Sequence, residues 1–116
     1  MTKTIIYLAC PYSHPHRSVR LIRFEAANRA AAALMAQGKH VFSPISHTHP
    51  IAEIGGLPLG WDFWEGYDRA VLAVCAEVIV LMLDGWKESK GVITEIAIAR
   101  ELGLPVTYLP AKGFSQ

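Results

Sequence analysis

The spacing of apolar and polar residues changes character several times along the chain. Residues 4–9, TIIYLA, are a short continuous apolar run rich in β-formers, which predicts a buried strand ended by Pro11. Residues 18–37 are Ala-rich with helical spacing, and Gly38 follows as a natural helix terminator. Residues 40–43 predict a second strand, stopped by Pro44. Residues 44–60 carry three prolines and three glycines and predict a long loop. Residues 61–74 are helical in pattern. Residues 77–83, EVIVLML, form the strongest strand and show no alternation, as expected for a strand covered on both faces. A helix over 89–102, closed by Gly103, and a strand over 105–109 complete the pattern.

The predicted order is β-α-β-α-β-α-β, with no repeat and no linker. Such alternation implies a parallel sheet with helices on both faces. The expectation is one flavodoxin-like (Rossmann-like) α/β domain over residues 1–116, with four or five strands. In such sheets ligands bind beyond the carboxyl ends of the strands. Three segments leave strands at that edge: CPYSHPH, the Pro/Gly-rich stretch and DGWKESKG.

Composition narrows the function classes. The chain has 116 residues, about half of them apolar, with a net charge of +1. No global basic field points to a nucleic-acid polymer. The longest apolar run is too short to span a bilayer. The first residues lack the cleavage pattern of a secretory signal. Cys10 and Cys75 have no metal-motif spacing, so the expectation is reduced thiols in a cytoplasmic protein.

One residue breaks the pattern of its own helix. With successive residues about 100° apart, Lys90, Thr94, Ala97 and Glu101 share one side of the segment SKGVITEIAIAR and its continuation. Gly91, Val92, Ile96, Ile98, Ala99, Leu102 and Gly103 form an apolar arc, and Glu95 falls inside it. Burying a carboxylate there costs several kcal/mol on the usual order of magnitude. Two readings explain it: a nucleophile or general base in the ligand cleft, or a carboxylate paired with an arginine of another element. Ser89 and Gly91, at the helix start, suit an anion bound by free N–H groups and the helix dipole; the simpler reading is N-capping by Ser89.

Other constellations lie at the same edge. Helix spacing puts Trp61, Trp64 and Asp68 on one ridge, with Asp62 beside it. An aromatic face next to a carboxylate suits a nucleobase; core packing is the alternative. Trp86 and Tyr12, in neighbouring loops, compete for the stacking role. The residue pairs His14/His16 and His47/His49 read as extended HxH, a geometry able to chelate zinc, or as loop histidines in solvent or facing an anionic ligand. No further ligand stands at metal spacing, and no metal is expected. Arg17, Arg20 and Arg23 recur every third residue. They form a solvated face, or Arg17 reaches a phosphate.

The segments IIYLACPYS, DRAVLAVCAEVIVLML and SKGVITEIAIARELGLPV resemble the nucleoside 2-deoxyribosyltransferase-like superfamily, and in particular its small bacterial members. The most specific element is S-x-G-x-x-x-E followed by G-x-P-V, here Ser89, Gly91, Glu95, Gly103, Pro105 and Val106. The resemblance implies cleavage or transfer at the N-glycosidic bond of a nucleoside or nucleotide, without a cofactor. It implies Glu95 as nucleophile and Tyr7 as the residue that orients it. Ser89 and Gly91 then contact the 5′ end of the sugar or its phosphate, and Asp68 or Asp62 handles the base. Pro11 and Tyr12 are expected to line the substrate site. Cys10, Pro11, Tyr12 and Ser13 stand where monophosphate hydrolases of the superfamily carry G-S-x-R, which leaves the need for a phosphate open. A homo-oligomer is also implied, with a neighbouring subunit packed against a mobile 44–60 loop. Two alternatives remain: a non-catalytic nucleotide-binding or sensing protein, and a metal-dependent hydrolase built on the histidines.

Overall fold

The computed structural model describes residues 2–114. Four strands form one parallel sheet: β1 (Ile5–Ala9), β2 (His40–Phe42), β3 (Glu77–Met82) and β4 (Val106–Pro110), in the spatial order β2-β1-β3-β4. This is the flavodoxin-like order. β1 continues to β2 through α1 (Arg17–Ala36), and β2 to β3 through α2 (Pro44–Gly55) and α3 (Trp61–Leu72). α4 (Lys90–Glu101) links β3 to β4. The chain therefore leaves β1 toward one edge and returns to pair β3 on its other side. The gap above β1 and β3 is the topological switch point.

Side-chain alternation divides the core. Ile6 and Leu8 of β1, with Ile79 and Leu81 of β3, face the alanine stripe Ala26, Ala27, Ala30 and Ala31 of α1. Tyr7, Ala9, Val78 and Val80 face the other way, against Leu72 of α3 and Val92, Ile98 and Ala99 of α4. β1 and β3 are thus covered on both faces, which accounts for the missing alternation in EVIVLML.

Residues 44–60 are mostly helix, not loop. Pro44 occupies the first turn of α2, where its fixed φ and missing N–H cost nothing. The Thr48 hydroxyl donates to the Pro44 carbonyl at 2.9 Å. Gly56, at φ 64°, ends the helix in the left-handed region. Pro50 inside the helix costs a hydrogen bond, on the order of 3 kcal/mol. Burial of Pro44, Ile45, His49 and Ala52 against the rest of the fold offsets it. The expected long mobile loop shrinks to residues 56–60, and these are tied down. Ser13 Oγ donates to the Leu59 carbonyl at 2.8 Å, and Trp64 Nε1 to the Pro58 carbonyl at 2.9 Å.

No helix among the described residues is long and apolar enough to cross a membrane. Cys10 and Cys75 are both buried and unpaired with each other.

Candidate functional site

A cavity of about 330 Å³ opens above the carboxyl ends of β1 and β3. That is the lower end of the range for small-ligand sites. One wall comes from α2 and the segment after β1, including Thr48, Tyr12 and Ser13; the other comes from α3 and the start of α4. Glu95, Asp68, Trp61, Trp64, Ser89 and Gly91 all line it. The topology thus brings together six residues spread over a third of the chain.

Glu95 is only 6% exposed and Asp68 only 7%. Neither has a cationic partner among the described residues. The arginine-pair reading of Glu95 is therefore set aside. Its partner is Tyr7, fully buried on the α4-facing side of β1, whose hydroxyl donates to Glu95 Oε2. Burial raises the Glu95 carboxyl to about 8; the Tyr7 hydrogen bond opposes this, and the charge of Asp68 adds to it. Burial also raises Asp68, to about 6, while hydrogen bonding to Tyr7 and Glu95 pulls it back. Both carboxyls thus hold a proton more tightly than in water, and the two are coupled. Burial, and next the Glu95 charge, push the Tyr7 hydroxyl well above its usual range, so it stays a donor.

The start of α4 forms the adjoining wall. Ser89 Oγ accepts from the Val92 N–H at 3.2 Å and Ser89 O from the Ile93 N–H at 2.9 Å. The cap reading of Ser89 thus holds, and it coexists with its place in the cavity wall. The N–H groups of Lys90 and Gly91 precede any intrahelical acceptor. A Cβ on Gly91 would lie 3.4 Å from the Trp61 ring, so the indole packs directly on this turn.

Five expected site residues lie elsewhere. Asp62 is one residue on from Trp61, about 100° around the helix. Its side chain is 91% exposed and 3.5 Å from Lys90 Nζ. Arg17 is committed to Glu53 in a two-pronged pair, Nη2 to Oε1 at 2.6 Å, and does not line the cavity. Trp86 packs against Tyr108, ring centres 5.6 Å apart, outside the cavity. Pro11 is fully buried and also stands off the cavity. Tyr7 stands behind the cavity wall and meets the site through Glu95 and Asp68.

The histidines disperse. His47 and His49 sit in a helix, where residues two apart point to opposite sides. His47 stacks over Tyr67, while His49 is buried, stacked on Phe24 at 4.3 Å and hydrogen-bonded through Nδ1 to the Tyr12 hydroxyl. His14 and His16 stay adjacent, ring centres 5.3 Å apart. Among the described residues no three His, Cys, Asp or Glu side chains gather into a metal-binding set.

Sequence reasoning passed over Thr48, Ser13, Glu88 and Lys90, all of which line the cavity. Three of these adjoin residues already singled out. Thr48 was hidden by reading its segment as a loop. Cys10 lies on the cavity floor, but burial, and next the charge of Glu95, push its thiol far above the usual range, so it is no nucleophile at neutral pH.

A family profile described as a domain of unknown function, DUF1937, matches residues 4–110. The chain belongs to the DUF1937 family. No curated protein matches it. The DUF1937 match spans Tyr7, Asp68, Ser89 and Glu95, so the whole polar centre lies within the family's domain.

Proposed function

We propose that this DUF1937 protein cleaves or transfers the N-glycosidic bond of a nucleoside, a nucleotide or a related base-linked sugar. The observation that carries this is the buried pair Glu95 and Asp68, held by Tyr7 at a ligand-sized cavity, with no ion-pair partner for either carboxyl among the described residues. A structural carboxylate is kept with a counter-charge. Two adjacent carboxyls with one proton between them are suited to acid and nucleophile work.

The step runs as follows. The shared proton passes through Asp68 to the leaving base. Glu95, now ionised, adds an oxygen lone pair to the anomeric carbon as the C–N bond breaks, and the C–N electron pair leaves with the base. Water or a second base then attacks the glycosyl ester. Its proton goes to Asp68, and the Glu95 carboxylate is released. Tyr7 fixes the Glu95 rotamer throughout. The base lies against Trp64 or Trp61, and the sugar end meets the first turn of α4. No cofactor takes part.

A homo-oligomer belongs to the same reading. Ile51, Ile54, Phe63 and Tyr67, on the outward side of α2 and α3, are all substantially exposed, Ile54 at 90%. They flank the helices that wall the cavity.

The deciding experiment incubates the protein with a panel of nucleosides and nucleoside 5′-monophosphates and follows release of free base. Turnover that vanishes in Glu95→Gln supports the reading; binding without any turnover favours the second one. That second reading is a nucleotide-binding or sensing protein without catalysis, and burial, which raises the Glu95 carboxyl and so disfavours the ionised nucleophile, speaks for it.

A further inference from the structure

We infer that Arg23 is a positioning residue that fastens the cavity's loops into one frame. Arg23 lies on α1 and does not line the cavity. Its guanidinium spans two loops at once. Nη1 donates to the Ser13 carbonyl at 3.0 Å, in the segment after β1, and Nη2 to the Asp84 carbonyl at 3.2 Å, in the segment after β3. The first loop brings Tyr12 and Ser13 to the cavity, and the second brings Glu88, Ser89 and Lys90.

The fit is close on the β3 side. Gly85 has φ +91°, and a Cβ there would lie 2.7 Å from Arg23 Nη2. The guanidinium thus occupies the space a side chain would need, and only glycine leaves room for it. The chain of contacts continues on the other side. Ser13, held by its carbonyl, uses its hydroxyl to hold the Leu59 carbonyl at 2.8 Å. Leu59 and Gly60 line the same cavity. Residues 10–16, 56–60 and 84–89 come from three different places in the chain. They are joined through Arg23 and Ser13.

The chemistry favours arginine specifically. A planar fork offers donors in fixed directions to two separate carbonyls, whereas a lysine ammonium on a flexible stem serves as a point charge. Carbonyl acceptors carry no formal charge, so the contact is directional and is not an ion pair. A frame of this kind acts on affinity by holding the binding groups in place before the ligand arrives. It leaves the reacting groups alone, since Glu95, Asp68 and Tyr7 are held by β1, α3 and α4.

The test compares Arg23→Lys, Arg23→Gln and wild type by two measurements. Backbone hydrogen exchange is read over residues 10–16, 56–60 and 84–89, and KM and kcat are measured with whichever panel substrate is turned over. Both variants should speed exchange in all three segments by about tenfold, the equivalent of about one hydrogen bond to a charged group. Exchange in α1 and the sheet should stay put. KM should rise by about tenfold, with kcat within about twofold of wild type. Wild-type exchange and KM in Arg23→Lys would overturn the inference, because a surface charge would then suffice. Faster exchange throughout the molecule would overturn it as well, reducing Arg23 to a general stabiliser. Loss of kcat at constant KM would move Arg23 into the chemistry and also overturn it. The kinetic arm rests on the glycosidic reading, and the exchange arm does not. If no substrate is turned over, that reading fails, and the three-segment exchange pattern still decides the role of Arg23.

Discussion

The hydroxyl of Tyr7 donates to Glu95 across 88 residues of sequence, from the middle of the first strand to the second turn of the last helix. This bond ties the most buried part of the sheet to the one carboxyl that the α4 pattern could not accommodate. Replacing Tyr7 by Phe keeps the ring in the core and removes only the donor. The bond holds Glu95 down against its burial, so the Glu95 carboxyl should rise further in Tyr7→Phe. The alkaline limb of the pH–rate profile, where the shared proton is lost, should move to higher pH, and the fold should lose about 1–2 kcal/mol. An alkaline limb that does not move would remove Tyr7 from the mechanism.

Stability should depend on pH with an unusual sign. Glu95 and Asp68 both have raised carboxyl values in the fold, about 8 and about 6. The native state therefore binds more protons than the unfolded chain between pH ~4 and ~8. Stability is then present in full at the acid end and falls as pH rises through the folded values. The size is on the order of a few kcal/mol, or roughly 10 °C in melting temperature for a domain of this length. His49 works against this, because burial lowers its affinity for a proton and its contribution is lost as pH falls. Glu95→Gln isolates the carboxyl term: its melting temperature should vary far less between pH 5 and 8 and exceed wild type at pH 8. A lower melting temperature for Glu95→Gln at pH 8 would mean that the ionised carboxylate supports the fold.

Much of this site was legible because Glu95 violated a strong pattern. A lone charge inside an apolar arc has few explanations, and neither burial nor the Tyr7 contact needed a precise helix boundary. The four strands were legible for a related reason, since runs of β-formers covered on both faces leave little ambiguity. Residues 44–60 were misread because local signals and tertiary packing disagree there. Pro44, Pro50 and three glycines favour a loop one residue at a time, and the buried face of α2 overrides them. That error carried over to His47 and His49, whose pairing in an extended chain becomes divergence in a helix. Arg17 and Arg23 show a further limit. Both stand in the same every-third-residue row, yet one meets Glu53 and the other meets two carbonyls of distant loops. Nothing local in the sequence separates them.

The tryptophans give a direct optical test. Trp64 lines the cavity and is pinned through its indole N–H, whereas Trp86 packs on Tyr108 away from it. Titration with a nucleoside or nucleotide that binds should quench fluorescence saturably. The quench should be lost in Trp64→Leu and kept in Trp86→Leu. If Trp86→Leu loses it instead, the base binds outside this cavity.

The exposed apolar side of α2 and α3 should be covered in solution. Wild type is expected to sediment as a dimer or larger, and Ile54→Glu should shift it toward monomer while leaving the melting transition of the subunit cooperative. Ile54 is 90% exposed in the single chain, so the substitution costs little there. A wild-type protein that sediments as a monomer at tens of micromolar would remove the oligomer from the proposal.

Ser89 separates capping from ligand binding. Its hydroxyl oxygen accepts the Val92 N–H, so Ser89→Ala should cost about 1 kcal/mol of stability whatever the ligand. The Lys90 and Gly91 N–H groups beside it are free of helical acceptors, and the positive end of the α4 dipole points the same way. A phosphate bound there would also meet Lys90 Nζ, which now stands 3.5 Å from the exposed Asp62. Ser89→Ala should therefore weaken a nucleoside 5′-monophosphate more than the matching nucleoside, and Lys90→Ala should do the same with no loss of cap. Isothermal titration of the pair of ligands against both variants reads the difference directly. Equal weakening of nucleoside and monophosphate by Ser89→Ala, with no effect of Lys90→Ala on either, would confine Ser89 to the cap. The 5′ end of the ligand would then have to lie away from α4.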